Sequence, residues 1–118
     1  MARADRLARL DTRREEAEQE YRDALIAALQ STAAGAWGLF DHNKDKVARA
    51  KVAPVVEALC DLGEEIDGMR EQLGLEPFAL HAEFEASRGP VAPSAAGEPK
   101  QARAWLDRLG VPVAGKAG

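Results

Sequence analysis

The chain has 118 residues, a net charge of -4 at neutral pH, 46% hydrophobic residues and one cysteine, Cys60. The length bounds it to one domain with a modest core, the acidic balance disfavours nucleic acid as the main partner, and the single cysteine excludes an internal disulfide. The sequence has no run of about 18 apolar residues, which a membrane-spanning helix would need. The charged start is unlike the apolar core of a signal peptide, so we expect a cytoplasmic protein.

The first predicted element is a long helix over about residues 3–34. This stretch has no Gly or Pro, and its less polar residues recur at helical spacing on one stripe. The stripe consists of Leu10, Ala17, Tyr21, Ala24, Leu25, Ala28 and Thr32. A single helix of roughly 45 Å is too long for one compact layer, so we expect a partner helix alongside it.

The connection that follows, residues 35–43, carries three large apolar side chains: Trp37, Leu39 and Phe40. Loops normally run over the surface and are polar, so this cluster needs an apolar contact. Two interpretations stay open. The cluster folds back as a plug over the end of a helical hairpin, or it anchors a protein partner, because aromatic side chains are enriched at interfaces.

The second long helix is predicted from about Lys44 to Leu73. Pro54 lies inside it and predicts a kink or a break, and Gly74 fits a residue that caps its end. Apolar residues recur in it with spacings of 4, 3, 4, 3 and 4, which is the seam of a coiled coil. We predict that this seam is a homo-oligomer interface formed by Val55, Leu59, Leu62, Ile66, Met69 and Leu73.

Two shorter helices complete the prediction. One is opened by Glu76 and Pro77 and runs to about Arg88, and the other spans residues 100–109. Pro and Gly between them predict a linker over residues 89–99. The resulting fold class is all-α: a long antiparallel helical hairpin with a third short helix packed on it and a small C-terminal helix after the linker, dimerising into a helical bundle. Residues 1–88 form the hairpin and third helix, and residues 100–118 form the last helix and a flexible tail.

The charges of the two long helices suggest a register for the hairpin. The first helix starts basic and the second ends acidic. A reversal about Leu39 places residues whose numbers sum to roughly 78 side by side, so we expect Arg13 and Arg14 to meet Glu65 and Glu64. Each exposed pair contributes only about 0 to 1 kcal/mol, so the pairs would mainly fix orientation.

The sequence shows no pattern that indicates catalytic, cofactor-binding or metal-binding residues, and we do not expect an enzyme. His81 and Glu85 are four residues apart on a predicted helix, but two ligands do not make a metal site, and we expect His81 to be half-buried and structural. Asp41 and Asn43 fit turn formation and helix capping better than a calcium loop. Acidic neighbours disfavour a reactive thiolate at Cys60.

The function we expect is that of a small non-enzymatic protein-protein interaction or scaffold module. It would act as a homodimer and bind an unidentified protein partner, without membrane contact. One alternative is an accessory regulator that contacts nucleic acid through the N-terminal arginines. A second alternative is a helical bundle that binds a small molecule or a metal.

Overall fold

A computed structural model of the chain describes residues 2–35, 46–87 and 98–111. These ranges hold four helices and no strand. The helices are α1 (Ala2–Ala33), α2 (Lys46–Gln72), α3 (Ala79–Ser87) and α4 (Glu98–Leu109). The predicted all-α class is confirmed.

The two long helices pack together in a hairpin-like arrangement. Arg70, near the end of α2, lies 2.5 Å from Glu18 of α1, whereas Val55, near the start of α2, lines the same hollow as Ala24. The numbers of the residues in contact therefore rise along α1 as they fall along α2, which makes the two helices antiparallel. Of the predicted α1 stripe, Tyr21, Leu25, Ala28 and Thr32 are buried, Leu10 and Ala17 are partly buried, and Ala24 is exposed.

The second helix passes Pro54 without a break, because α2 is continuous from Lys46 to Gln72. Its end follows the prediction at Gly74, whose φ of 73° lies in the left-handed region that favours glycine. The N–H of Gly74 binds the carbonyl of Glu71 at 3.1 Å, and the N–H of Leu75 binds that of Arg70 at 2.8 Å. These two bonds form a Schellman cap, which satisfies carbonyls that the helix leaves open.

The third helix starts at Ala79, two residues after Pro77, and is tied to α2 at its start. The backbone N–H of Phe78 donates to Oδ1 of Asp67 at 2.8 Å. In addition, the Arg70 guanidinium lies over the Phe78 ring, 6.0 Å from its centroid. Arg70 therefore touches both α1, through Glu18, and the residue that precedes α3.

The fourth helix packs on α1, and each helix supplies an arginine to the end of the other. Arg103 donates to the carbonyl of Ala33 at 3.5 Å, and Arg22 donates to the carbonyl of Leu109 at 3.3 Å. Both carbonyls lie at helix C-termini, where unsatisfied acceptors and the negative end of the dipole favour a cation. Because α4 buries Ala102, Trp105 and Leu106, it belongs to the core of the described structure.

The expected pairing of Arg13 and Arg14 with Glu65 and Glu64 is wrong. Arg14 instead binds carboxylates of its own helix, Asp11 at 2.8 Å and Glu18 at 2.9 Å, while Arg13, Glu64 and Glu65 are exposed. The reason lies in the core: Ile66 is fully buried. Glu64 lies about 200° around the helix from Ile66, so it faces away from α1.

Candidate interaction surface

The predicted seam divides into an inner and an outer half. Leu59, Ile66 and Met69 are at most 7% exposed and form part of the chain's own core. These three side chains are not available to a second copy unless the hairpin opens. Val55, Leu62 and Leu73 are only partly buried, so part of each side chain stays open to solvent. Whether they form an oligomer interface stays a prediction.

Val55 and Leu62 of the outer half border an apolar hollow of about 360 Å³ between α1 and α2. The hollow, called the apolar hollow below, is lined by Glu20, Ala24, Pro54, Val55, Ala58, Leu59 and Leu62. The small side chains of Ala24 and Ala58 leave the space, since longer side chains at these positions would fill it. Glu20 is the one charged residue of the lining. The hollow can therefore accept apolar side chains, with a cation placed next to Glu20.

A second hollow, of about 480 Å³, lies near the start of α1. Leu7, Leu10 and Gln72 line it together with four arginines, which form the arginine face: Arg3, Arg6, Arg9 and Arg13. All four arginines are exposed. Within the described ranges, none of the four forms an ion pair. Arg14 differs, because hydrogen bonds to Glu18 and Asp11 occupy its guanidinium and raise its pKa.

The buried polar centre of the chain joins α1 to α3. The Tyr21 hydroxyl lies 2.7 Å from Nδ1 of His81, and both side chains are at most 2% exposed. Nε2 of His81 lies 3.6 Å from Oε1 of Glu85. Because a carboxylate accepts hydrogen bonds, this arrangement favours the proton on Nε2, and Nδ1 then accepts the hydrogen bond of Tyr21. Burial, followed by the charges of nearby acidic groups, raises the pKa of Tyr21.

A close approach between helices holds His81 in place. A Cβ built on Gly63 would lie 2.4 Å from atoms of the His81 ring. Glycine is therefore needed at this point of α2, because any side chain would overlap the imidazole. His81 was expected to be half-buried, but it is buried and bonded to Tyr21. Sequence reasoning missed both partners, although a glycine inside an otherwise regular helix is a signal of close packing.

Other predicted features divide between described and undescribed residues. Trp37, Leu39 and Phe40, with the capping residues Asp41 and Asn43, lie outside the described residues. Cys60 is partly buried. Across residues 2–35, 46–87 and 98–111, no group of three or more His, Cys, Asp or Glu side chains is placed to hold a metal ion.

None of the helices in the described part of the chain has the length and apolar character that crossing a membrane requires. Comparison with known proteins adds no relative: no family model matches the chain, and neither a curated protein nor a solved structure matches it.

Proposed function

We propose that this chain is a non-enzymatic helical module that binds proteins and acts as a homo-oligomer, with two copies dimerising into a helical bundle. The observation that carries the proposal is the apolar hollow on the outside of the hairpin. Val55 and Leu62 keep part of their surface open there. An apolar hollow that stays open beside packed helices offers an apolar side chain of a partner a place where it can be buried.

The division of the seam residues into buried and partly exposed ones supports the same proposal. A heptad seam that served only the hairpin would be buried along one face of α2, yet Val55, Leu62 and Leu73 stay partly exposed while their neighbours in the repeat are buried. The helix thus offers apolar surface to its own chain and, beside it, to the outside. Small helical chains commonly complete their burial against a second copy.

The test fills the apolar hollow without touching the core. Ala58→Arg places a long side chain in the hollow, next to Glu20, and Ala53→Arg is the matched control. Both alanines are exposed on α2, but only Ala58 lines the hollow. Five residues separate them, which is about 140° around the helix.

We expect the wild type and Ala53→Arg to have the mass of an oligomer by light scattering, and Ala58→Arg to have the mass of a monomer. Circular dichroism should show the same helix content in all three proteins. Equal masses for the two variants would exclude the hollow as the interface, and a wild type that is monomeric at every concentration would overturn the homo-oligomer.

A second candidate function is favoured by the arginine face. Its four arginines are exposed and form no ion pair with the described residues, as a phosphate-binding surface requires. The net charge of -4 opposes it. Titration of a short duplex at two salt concentrations tests it, because release of counterions from phosphates makes affinity fall steeply with salt. Binding that is absent at low salt would exclude this function.

A further inference from the structure

We infer that the homo-oligomer forms by antiparallel packing of α1 against α1 of a second copy. Leu10 of each copy enters the apolar hollow of the other copy, and Arg13 of each copy pairs with Glu20 of the other. This inference rests on the homo-oligomer proposed above and names its contact surface. The occupant of the apolar hollow is thus α1 of a second copy, and three observations on α1 support this.

The first observation is that opposite charges share one face of α1. Arg6, Arg13, Glu20 and Ala27 follow one another at intervals of seven residues, so they lie close to one line along the helix. All four are exposed. Arg13 lines the arginine face, and Glu20 lines the apolar hollow. The face is therefore positive towards the start of the helix and negative further along.

The second observation is that this order of charges complements itself. When two copies of α1 pack antiparallel about Ala17, residues whose numbers sum to about 34 lie opposite each other. Arg13 then lies beside Glu20 of the other copy, and a two-fold axis repeats the contact. Neither side chain has an ion-pair partner among the described residues.

The third observation is that a large apolar residue lies opposite a small one in the same register. Leu10 lies opposite Ala24 of the other copy, and Ala24 lines the apolar hollow. The turns of α1 before Leu10 are exposed on all sides from residue 3 to residue 9. The register thus covers the start of α1 with the part of the other copy that has space.

A second copy suits this surface better than a nucleic acid. A phosphate backbone would meet the Glu20 carboxylate at one end of the face and would leave the apolar hollow empty. A helix that carries leucine and arginine three residues apart can fill the hollow with the leucine and pair with Glu20 through the arginine. The α1 helix presents such a pair at Leu10 and Arg13.

Charge exchange between the two positions tests the register. Arg13→Glu and Glu20→Arg each replace two attractive contacts by two repulsive ones, so each should weaken self-association about tenfold or more. The double variant restores opposite charges and should recover the wild-type dissociation constant, measured by sedimentation equilibrium at low salt. Glu64→Arg is the control for net charge, because Glu64 is exposed on α2 and faces away from α1.

Crosslinking gives an independent readout. In a Cys60→Ser background, Ala17→Cys should be joined to its copy by a short thiol-specific crosslinker, whereas Gln19→Cys should not be. Gln19 is exposed and lies about 200° around the helix from Ala17.

The outcomes separate this inference from the proposed function. An oligomer that neither recovers in the double variant nor crosslinks at position 17 overturns the α1 contact and leaves the homo-oligomer standing. A monomeric wild type overturns both. If that monomer also binds a duplex through Arg13, the nucleic-acid function takes their place.

Discussion

The Tyr21 hydroxyl and Nδ1 of His81 lie 2.7 Å apart in the interior, and they join residues 60 positions apart in the chain. The rings also meet edge to face, with centroids 5.4 Å apart. This hydrogen bond is one of few polar contacts in an otherwise apolar core. It gives α3 a defined place against α1, because a buried polar group without its partner loses the free energy of desolvation.

Removing the Tyr21 hydroxyl should destabilise the fold out of proportion to its size. Tyr21→Phe keeps the ring but leaves Nδ1 of His81 without a donor, so we expect the free energy of unfolding to fall by about 1 to 3 kcal/mol. Urea titration followed by circular dichroism measures it. His81→Leu and the double variant complete a cycle, and effects of the two substitutions that simply add would show that the bond is not energetically coupled.

Two glycines of α2 should respond to alanine with opposite signs. Gly63→Ala places a Cβ against the His81 ring, and overpacking of this kind typically costs about 1 to 3 kcal/mol. Gly68 is exposed in the same helix and has no atom within 4 Å of an added Cβ. Gly68→Ala should stabilise by up to about 1 kcal/mol, because alanine favours helix. Shifts of the urea midpoint in the same direction would contradict the close approach of His81.

Alkaline pH should weaken the fold through Tyr21. An unfolded tyrosine has a pKa of 10.0, and burial raises the pKa in the folded chain. Above pH 10 the folded chain therefore holds a proton that the unfolded chain loses, so the free energy of unfolding falls as the pH rises. Because the chain has one tyrosine, the ultraviolet absorbance of tyrosinate reports this group alone.

The comparison that isolates this effect is Tyr21→Phe. Its free energy of unfolding should fall less steeply than that of the wild type above pH 10. Parallel curves for the two proteins, or tyrosinate absorbance in the folded protein with an ordinary midpoint near 10, would count against a raised pKa.

The last helix should contribute to global stability. Leu106 is fully buried, so Leu106→Ala should lower the free energy of unfolding by about 2 to 5 kcal/mol in a single cooperative transition. Leu109→Ala is the matched control, since Leu109 is only partly buried and should cost less. A separate early transition in Leu106→Ala, with the main midpoint unchanged, would mean that α4 unfolds independently of the hairpin.

Sequence reasoning predicted the helices well because helical periodicity is a local property. The end of α2 before Gly74 and the end of α4 at Leu109 were predicted, and the continuity of α2 through Pro54 was the main open point. The partners of the helices were harder to predict, because packing between distant segments leaves no local pattern. Nothing near Arg103 indicates that it reaches Ala33, 70 residues earlier.

The candidate surface was predicted only in outline. The heptad spacing of α2 identified the apolar face but could not say which part the chain would bury itself. Leu59 and Ile66 are buried in the core, while Val55 and Leu62 stay partly exposed at a hollow that depends on Ala24 of another helix. The charge register failed for a related reason, since the burial of Ile66 turns Glu64 away from α1.

The packing of α4 on α1 also affects how the chain is made. Arg22 and Leu109 are 87 residues apart and meet in the finished fold. During synthesis, the side of α1 that α4 covers leaves the ribosome early and stays open until almost all of the described chain has followed. Contacts of such long range slow folding and leave apolar surface exposed meanwhile. A product of translation that stops before α4 would therefore be a natural target for chaperones or proteases.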